Sequence, residues 1–139
     1  MDFVFERRIN YYETDKMGIV HHSNYIRFLE EARCTMLKKM GMPYSALEAN
    51  GIMIPVLGVK CDFKHHVTFD DVIVIKLFVK EFNGVRLTMG YSATNKENGD
   101  LVFTAETKHC FTDTNLRPIR LQKHNQEFYE KFKNCEEKN

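Results

Sequence analysis

No stretch of this chain approaches the ~20 apolar residues of a membrane-crossing helix. Its opening, Met1-Asp2-Phe3-Val4-Phe5-Glu6, lacks the layout of a secretory signal. Charge is nearly balanced: 20 Lys and Arg face 19 Asp and Glu, a formal net charge of +1. That excludes a surface built to coat nucleic acid, while leaving room for a local basic groove. Cys34, Cys61, Cys110 and Cys135 are too scattered for a CxxC clasp. Without a secretion signal they are expected to be free thiols, and none stands in a loop beside a histidine as a nucleophile would. His21-His22 and His65-His66 are adjacent pairs without the i,i+4 spacing of a helical zinc site, so no metal is expected. No GxGxxG or GxxxxGK loop is present to cradle phosphates. A cytoplasmic protein without resident cofactor, membrane span or nucleic-acid partner is the expectation.

What is present is the material of one domain, spanning residues 1–139, with 43% hydrophobic and 28% charged residues. Residues 3–11 read as a strand with Phe3, Phe5, Ile9 and Tyr11 on one face, interrupted by Arg7. From residue 25 onward Tyr25, Phe28, Leu29, Ala32, Met36 and Met40 recur at three- and four-residue steps, predicting a long amphipathic helix stopped by Gly41 and Pro43. A helical turn is expected around residues 45–49. Four strands follow: 54–63, with Leu57, Val59, Cys61 and Phe63 in alternation; 72–82; one beginning at Val85; and 101–111. Asn83-Gly84 and Asn98-Gly99 supply the last two turns. Residues 72–79 are almost unbroken in apolar character, as in a strand covered on both sides or pairing across a subunit boundary. On the second reading, Ile75→Lys or Leu77→Lys would disrupt association or folding. A final helix is expected over 121–132. The order β-α-β-β-β-β-α points to an α+β fold, one long helix lying across an antiparallel sheet.

Residues 11–25, Tyr-Tyr-Glu-Thr-Asp-Lys-Met-Gly-Ile-Val-His-His-Ser-Asn-Tyr, concentrate the chemistry. A carboxylate, Asp15, shares a short loop with Gly18, two histidines and a helix-start signal at Ser23-Asn24. A carboxylate attacks a carbonyl or activates a water; free N–H groups at a helix start stabilise the oxyanion that forms. Gly18 fits a position of positive φ or close substrate approach. The same residues also fit a plain N-capped helix behind a polar loop. Glu13, two residues before Asp15, is expected to be dispensable.

Tyr11, Thr14-Asp15, Gly18, Val20, His22, Asn24-Tyr25 and residues 27–33 (Arg-Phe-Leu-Glu-Glu-Ala-Arg) together resemble the signature of the 4-hydroxybenzoyl-CoA thioesterase-like hotdog family, in its Tol-Pal-associated acyl-CoA thioesterase branch. Asp62-Phe63, Asp71 and residues 113–118 agree as well, so the similarity spans nearly the whole chain. His21 departs from it, standing where that branch more usually carries an aromatic residue. The resemblance implies a hotdog fold, a sheet wrapped around the central helix, with a C-terminal helix. It implies hydrolysis of acyl-CoA thioesters with coenzyme A as part of the substrate, and a homodimer or dimer of dimers with the site beside the boundary. It assigns catalysis to Asp15, His22 and Tyr11, with His22 supplying an oxyanion-binding main-chain N–H. Gly18, His21, Asn24 and Tyr25 would then contact substrate, and Lys60, Lys64, His65, His66 and Arg86 are candidates for its phosphates. A hotdog dehydratase or hydratase acting on 3-hydroxyacyl or enoyl thioesters, and a non-catalytic acyl-thioester-binding protein, are the alternatives.

Overall fold

The apolar spacing around residues 25–40 does wind into one long helix. In the computed structural model, which describes residues 2–136, this is α1 (Ser23–Lys39), with a single turn of 3₁₀ helix and a loop joining it to β1 (Asp2–Arg8). Next come α2 (Tyr44–Ala49), β2 (Val56–Phe63), β3 (Val72–Phe82), β4 (Arg86–Asn95), β5 (Leu101–Cys110), α3 (Leu121–His124) and α4 (Gln126–Cys135). The strands form one antiparallel sheet in the order β1-β3-β4-β5-β2. Helix α1 lies across it and buries Tyr25, Phe28, Leu29, Ala32, Met36 and Leu37 in the core. This is the expected α+β hotdog arrangement. No helix among the described residues is long and apolar enough to cross a membrane.

Three expectations need correction. The first strand ends at Arg8, not at residue 11, because the Glu13 side chain accepts the Asn10 N–H (2.8 Å) and starts the 3₁₀ turn at Tyr11. Nor does Arg7 interrupt the inward face: its guanidinium lies 4.1 Å from the Phe28 ring centroid and pairs with Glu13 and Glu31.

The second correction concerns β3. It lies between β1 and β4, and Ile73, Ile75, Leu77 and Val79 are fully buried within the chain's own core. Its apolar run is therefore an interior strand's, and Ile75→Lys or Leu77→Lys would attack that core rather than a subunit boundary. On its other face Phe78 covers Gly90 so closely that a Cβ there would collide with the ring. The sheet's two edges are β1 and β2, and on β2 Val56, Leu57, Val59 and Phe63 are all exposed.

Third, the last helix is broken in two at Asn125. That residue takes extended φ and ψ (−156°, 100°) and caps α4 by accepting the Phe128 N–H. The remaining boundaries hold within a residue or two, and the four cysteines are free thiols.

On β5 the His109 ring is buried, 1% exposed, and its pKa falls from 6.5 to about 4. Desolvation is the first cause and the Arg33 cation the second. The folded state thus binds this proton less readily than the unfolded chain, so the stabilisation is fully present above pH 6.5 and lost as pH falls toward 4. The shift corresponds to about 3 kcal/mol. Urea unfolding between pH 7 and 4 is expected to show a smaller loss of stability in His109→Gln than in the unmodified protein. Equal losses would remove His109 from the acid response.

Candidate active site

The loop between β1 and α1 is pinned at both ends. Thr14 and Val20 bridge as in a hairpin, and Asp15 N–H donates to the Ile19 carbonyl (2.9 Å). Gly18 N–H returns to the Asp15 carbonyl (2.9 Å), and Gly18 takes φ +81°, the left-handed conformation expected for it. Val20 N–H donates to the Val67 carbonyl (2.9 Å), fastening the loop to the segment between β2 and β3. The Glu13 carbonyl accepts both the His21 N–H and the Asn24 Nδ2–H, each at 2.9 Å. Asn24 is buried in making that bond, so it positions the loop from beneath.

Asp15 is half-buried, and one of its oxygens accepts the Met17 N–H at 2.8 Å. Its other oxygen has no hydrogen-bond partner among the described residues. At the start of α1, Asn24 N–H and Tyr25 N–H already donate to the His21 and His22 carbonyls (2.9 and 3.2 Å). Ser23 N–H reaches the His21 Nδ1 at 3.3 Å. The His22 N–H donates to no acceptor among the described residues. An unpartnered donor at a helix N-terminus is suited to a developing oxyanion.

Asp15 and His22 line one cleft of about 210 Å³, together with Met17, Ile19, Val20, Tyr25, Phe63, Lys64, His65 and His66. One wall is aromatic: Phe63 packs on Tyr25 (centroids 5.4 Å apart) and against His22 (6.1 Å), and Tyr25 rests on Phe103 (5.1 Å). Burial pushes the Tyr25 hydroxyl up to about 12, with the Cys61 side chain contributing. Tyr25 is therefore a neutral floor. Lys64 and the stacked rings of His65 and His66 continue the lining beyond Phe63, with His65 Nε2 3.5 Å from Asp100. A larger groove of about 620 Å³ lies on α1 against Phe5, Arg27, Glu30, Glu31, Cys34 and Thr35, remote from the Asp15 loop.

The cleft thus gathers Asp15, His22, Tyr25, Lys64, His65 and His66. Tyr11 lies outside it, largely exposed with its ring edge-on to Phe69. Gly18 shapes the turn behind Asp15. His21 stacks on His22 (4.3 Å) and exchanges a hydrogen bond with Ser23 Oγ (2.8 Å), serving the helix start. Lys60 sits farther up β2 beside Asp62 and Glu106, and Arg86 opens β4 at a distance from the loop. Phe63 is the wall residue that periodicity alone did not mark. Its strand alternation placed it on an apolar face, and only the free edge of β2 turns that face toward the cleft. Among the described residues no group of three His, Cys, Asp or Glu side chains is placed to hold a metal.

Residues 9–132 match the family model of the Thioesterase-like superfamily. The chain belongs to that family. Among its relatives, the acyl-CoA thioester hydrolase YbgC of Escherichia coli O6:H1 is 27% identical over 116 residues, 84% of this chain and 87% of that one. A crystal structure of a hypothetical protein from Aquifex aeolicus superposes with a TM-score of 0.86 at 34% identity, covering 94% of this chain and 98% of that one. The DHNA-CoA thioesterase of Staphylococcus aureus gives a TM-score of 0.90 at 28% identity, covering 96% and 89%. Membership in this superfamily turns the loop carboxylate and the free helix-start N–H from a capping curiosity into a candidate hydrolytic centre.

Proposed function

We propose that this chain is an acyl-CoA thioesterase, cleaving an acyl thioester to the free acid and coenzyme A. The observation that carries the reading is that Asp15 and His22, a residue whose N–H has no acceptor among those described, line one cleft. Asp15 attacks the thioester carbonyl directly or removes a proton from an attacking water; both routes need its free oxygen. As negative charge moves to the carbonyl oxygen, the His22 N–H and the dipole of α1 stabilise it. The leaving thiol has a pKa near ~8.5 and departs without a strong acid. Lys64, His65 and His66 meet the phosphates of the carrier. A dehydratase built on this loop would pair His22 with Asp15, and no hydrogen bond joins the two among the described residues; the cleft histidine that does meet a carboxylate, His65 (3.5 Å from Asp100), stands on the exposed rim. A thiol-release assay over aliphatic and aromatic acyl-CoA thioesters tests the reading. Binding without release of thiol from any member of the panel would overturn it. Dialysis against a chelator is expected to leave the rate unchanged, and a loss restored by one divalent ion would overturn the Asp15 mechanism.

The working unit we infer is a homodimer or a dimer of dimers. An edge strand with free backbone groups and four exposed apolar side chains invites pairing with a second copy. Phe63 ends that strand and walls the cleft, so a partner at this edge would extend the site. The cleft of one chain, about 210 Å³, falls below the ~300–1,000 Å³ of typical small-molecule sites. Val59→Lys is expected to shift the protein toward monomer in light scattering and lower activity in the same fractions. An unmodified protein that is monomeric and fully active would refute the shared site. Four free thiols accord with the cytoplasm as its location.

A further inference from the structure

Remote from the cleft, four buried polar side chains join where α1 crosses β4 and β5. Arg33 Nη1 donates to the Tyr91 hydroxyl at 3.2 Å. Tyr91 Oη and Thr107 Oγ1 are 2.6 Å apart, and Thr107 Oγ1 and His109 Nε2 are 2.8 Å apart. Each of the four is less than a tenth exposed. The hydrogens of this chain can be counted. Were Thr107 to donate to Tyr91, the Tyr91 proton would have no acceptor among the described residues. Tyr91 therefore donates to Thr107 and Thr107 to His109 Nε2, which puts the proton of the neutral imidazole on Nδ1.

Two donors are then left over. Arg33 Nε and His109 Nδ1 are buried with no hydrogen-bond partner among the described residues. The carbonyls of Ile54 and Pro55 lie near enough to His109 to favour its charged form, and the Tyr44 hydroxyl near enough to Arg33 to favour its own, yet none completes a hydrogen bond to Nδ1 or Nε. Arg33 takes part in no ion pair among those described, although a buried guanidinium ordinarily has a carboxylate beside it. Both residues line one internal cavity of about 10 Å³, together with Tyr44, Ile54, Leu87 and Met89.

We propose that this cavity is a binding site for a single water molecule, which accepts from Arg33 Nε–H and His109 Nδ1–H. The lining offers both donors and the Ile54 carbonyl, so a water, which accepts and donates, suits it, whereas a halide would be set against the carbonyl oxygen. An apolar occupant would leave both donors unsatisfied. The Tyr44 hydroxyl on the same wall and the Ile54 carbonyl are acceptors within reach of the water's own hydrogens. Bridged this way, Arg33 ties α1 to β4 directly and to β5 through two routes. That fixes the helix whose first turn carries the His22 N–H, and the inference stands whatever reaction the cleft performs.

High-resolution crystallography of the unmodified protein, with a parallel bromide soak, and ¹⁵N NMR of the His109 ring test the site. The expected result is one density peak at about 2.7–3.2 Å from both nitrogens, without bromide anomalous signal. The His109 ring is expected to carry its proton on Nδ1. A bromide peak would replace water by an anion, an empty cavity would refute the site, and a proton on Nε2 would overturn the donor count.

Discussion

Asp15→Asn is expected to lower kcat/KM for thioester hydrolysis by about 10²–10⁴, the range a positioned base contributes, with folding unchanged. The fold is spared because an amide oxygen still accepts the Met17 N–H, so the turn around Gly18 survives. What is lost is the carboxylate itself, since an amide neither attacks a carbonyl nor takes a proton from water. The measurement is a thiol-release assay at several substrate concentrations, with thermal unfolding on the same preparation. Retention of more than about a tenth of the activity, a barrier change under ~1.4 kcal/mol, would remove Asp15 from the chemistry. Glu48→Gln, on the exposed surface of α2, serves as the control.

Glu13 cannot serve as that control, contrary to the reading that made it dispensable. It is only 4% exposed, and its carboxylate meets the Arg7 guanidinium at 2.5 Å while accepting the Asn10 N–H at 2.8 Å. Arg7 also holds Glu31 on α1 (2.6 Å) and remains protonated: burial opposes its charge, but the two carboxylates outweigh that and raise its pKa. Glu13→Ala leaves Arg7 with only the more exposed Glu31 and frees the Asn10 N–H. Because Arg7 keeps Glu31, the expected cost is that of charge-assisted hydrogen bonds, about 1.5–3 kcal/mol. Denaturant unfolding is the direct measurement, and a loss below ~1 kcal/mol would show that Glu31 and water suffice for Arg7. Activity is expected to fall as well: the main-chain carbonyl of residue 13 is kept, but without the Arg7 pairing its position under His21 and Asn24 at the start of α1 is no longer fixed.

The same residues show which features local pattern reveals. Helix α1, the turn at Asn83-Gly84 and the exact span of β3 follow from periodicity and turn chemistry, which act over a few neighbours. Asp15 was legible because an aspartate three residues before a glycine writes its own turn. Tyr11 was not, because the 3₁₀ turn that moves it off the strand depends on Glu13 being held by Arg7 of β1. The exposure of Leu57 and Val59 was likewise hidden. Alternation marks an apolar face without revealing that β2 lies at the sheet's edge, which the strand order alone decides.

That strand order also sets how the chain must assemble. β3, β4 and β5 are joined by short turns, so their pairing needs only local loop closure. β1 must find β3 across residues 9–71, and β2 must find β5 across residues 64–100. Those long closures carry the larger entropy cost and raise the contact order, so the central meander is the natural nucleus and the outer strands join it late. The Asp15 loop hangs between β1 and α1, and Phe63 ends β2, so both walls of the cleft belong to the late additions. Catalytic competence is therefore expected to lag behind the growth of sheet signal during refolding.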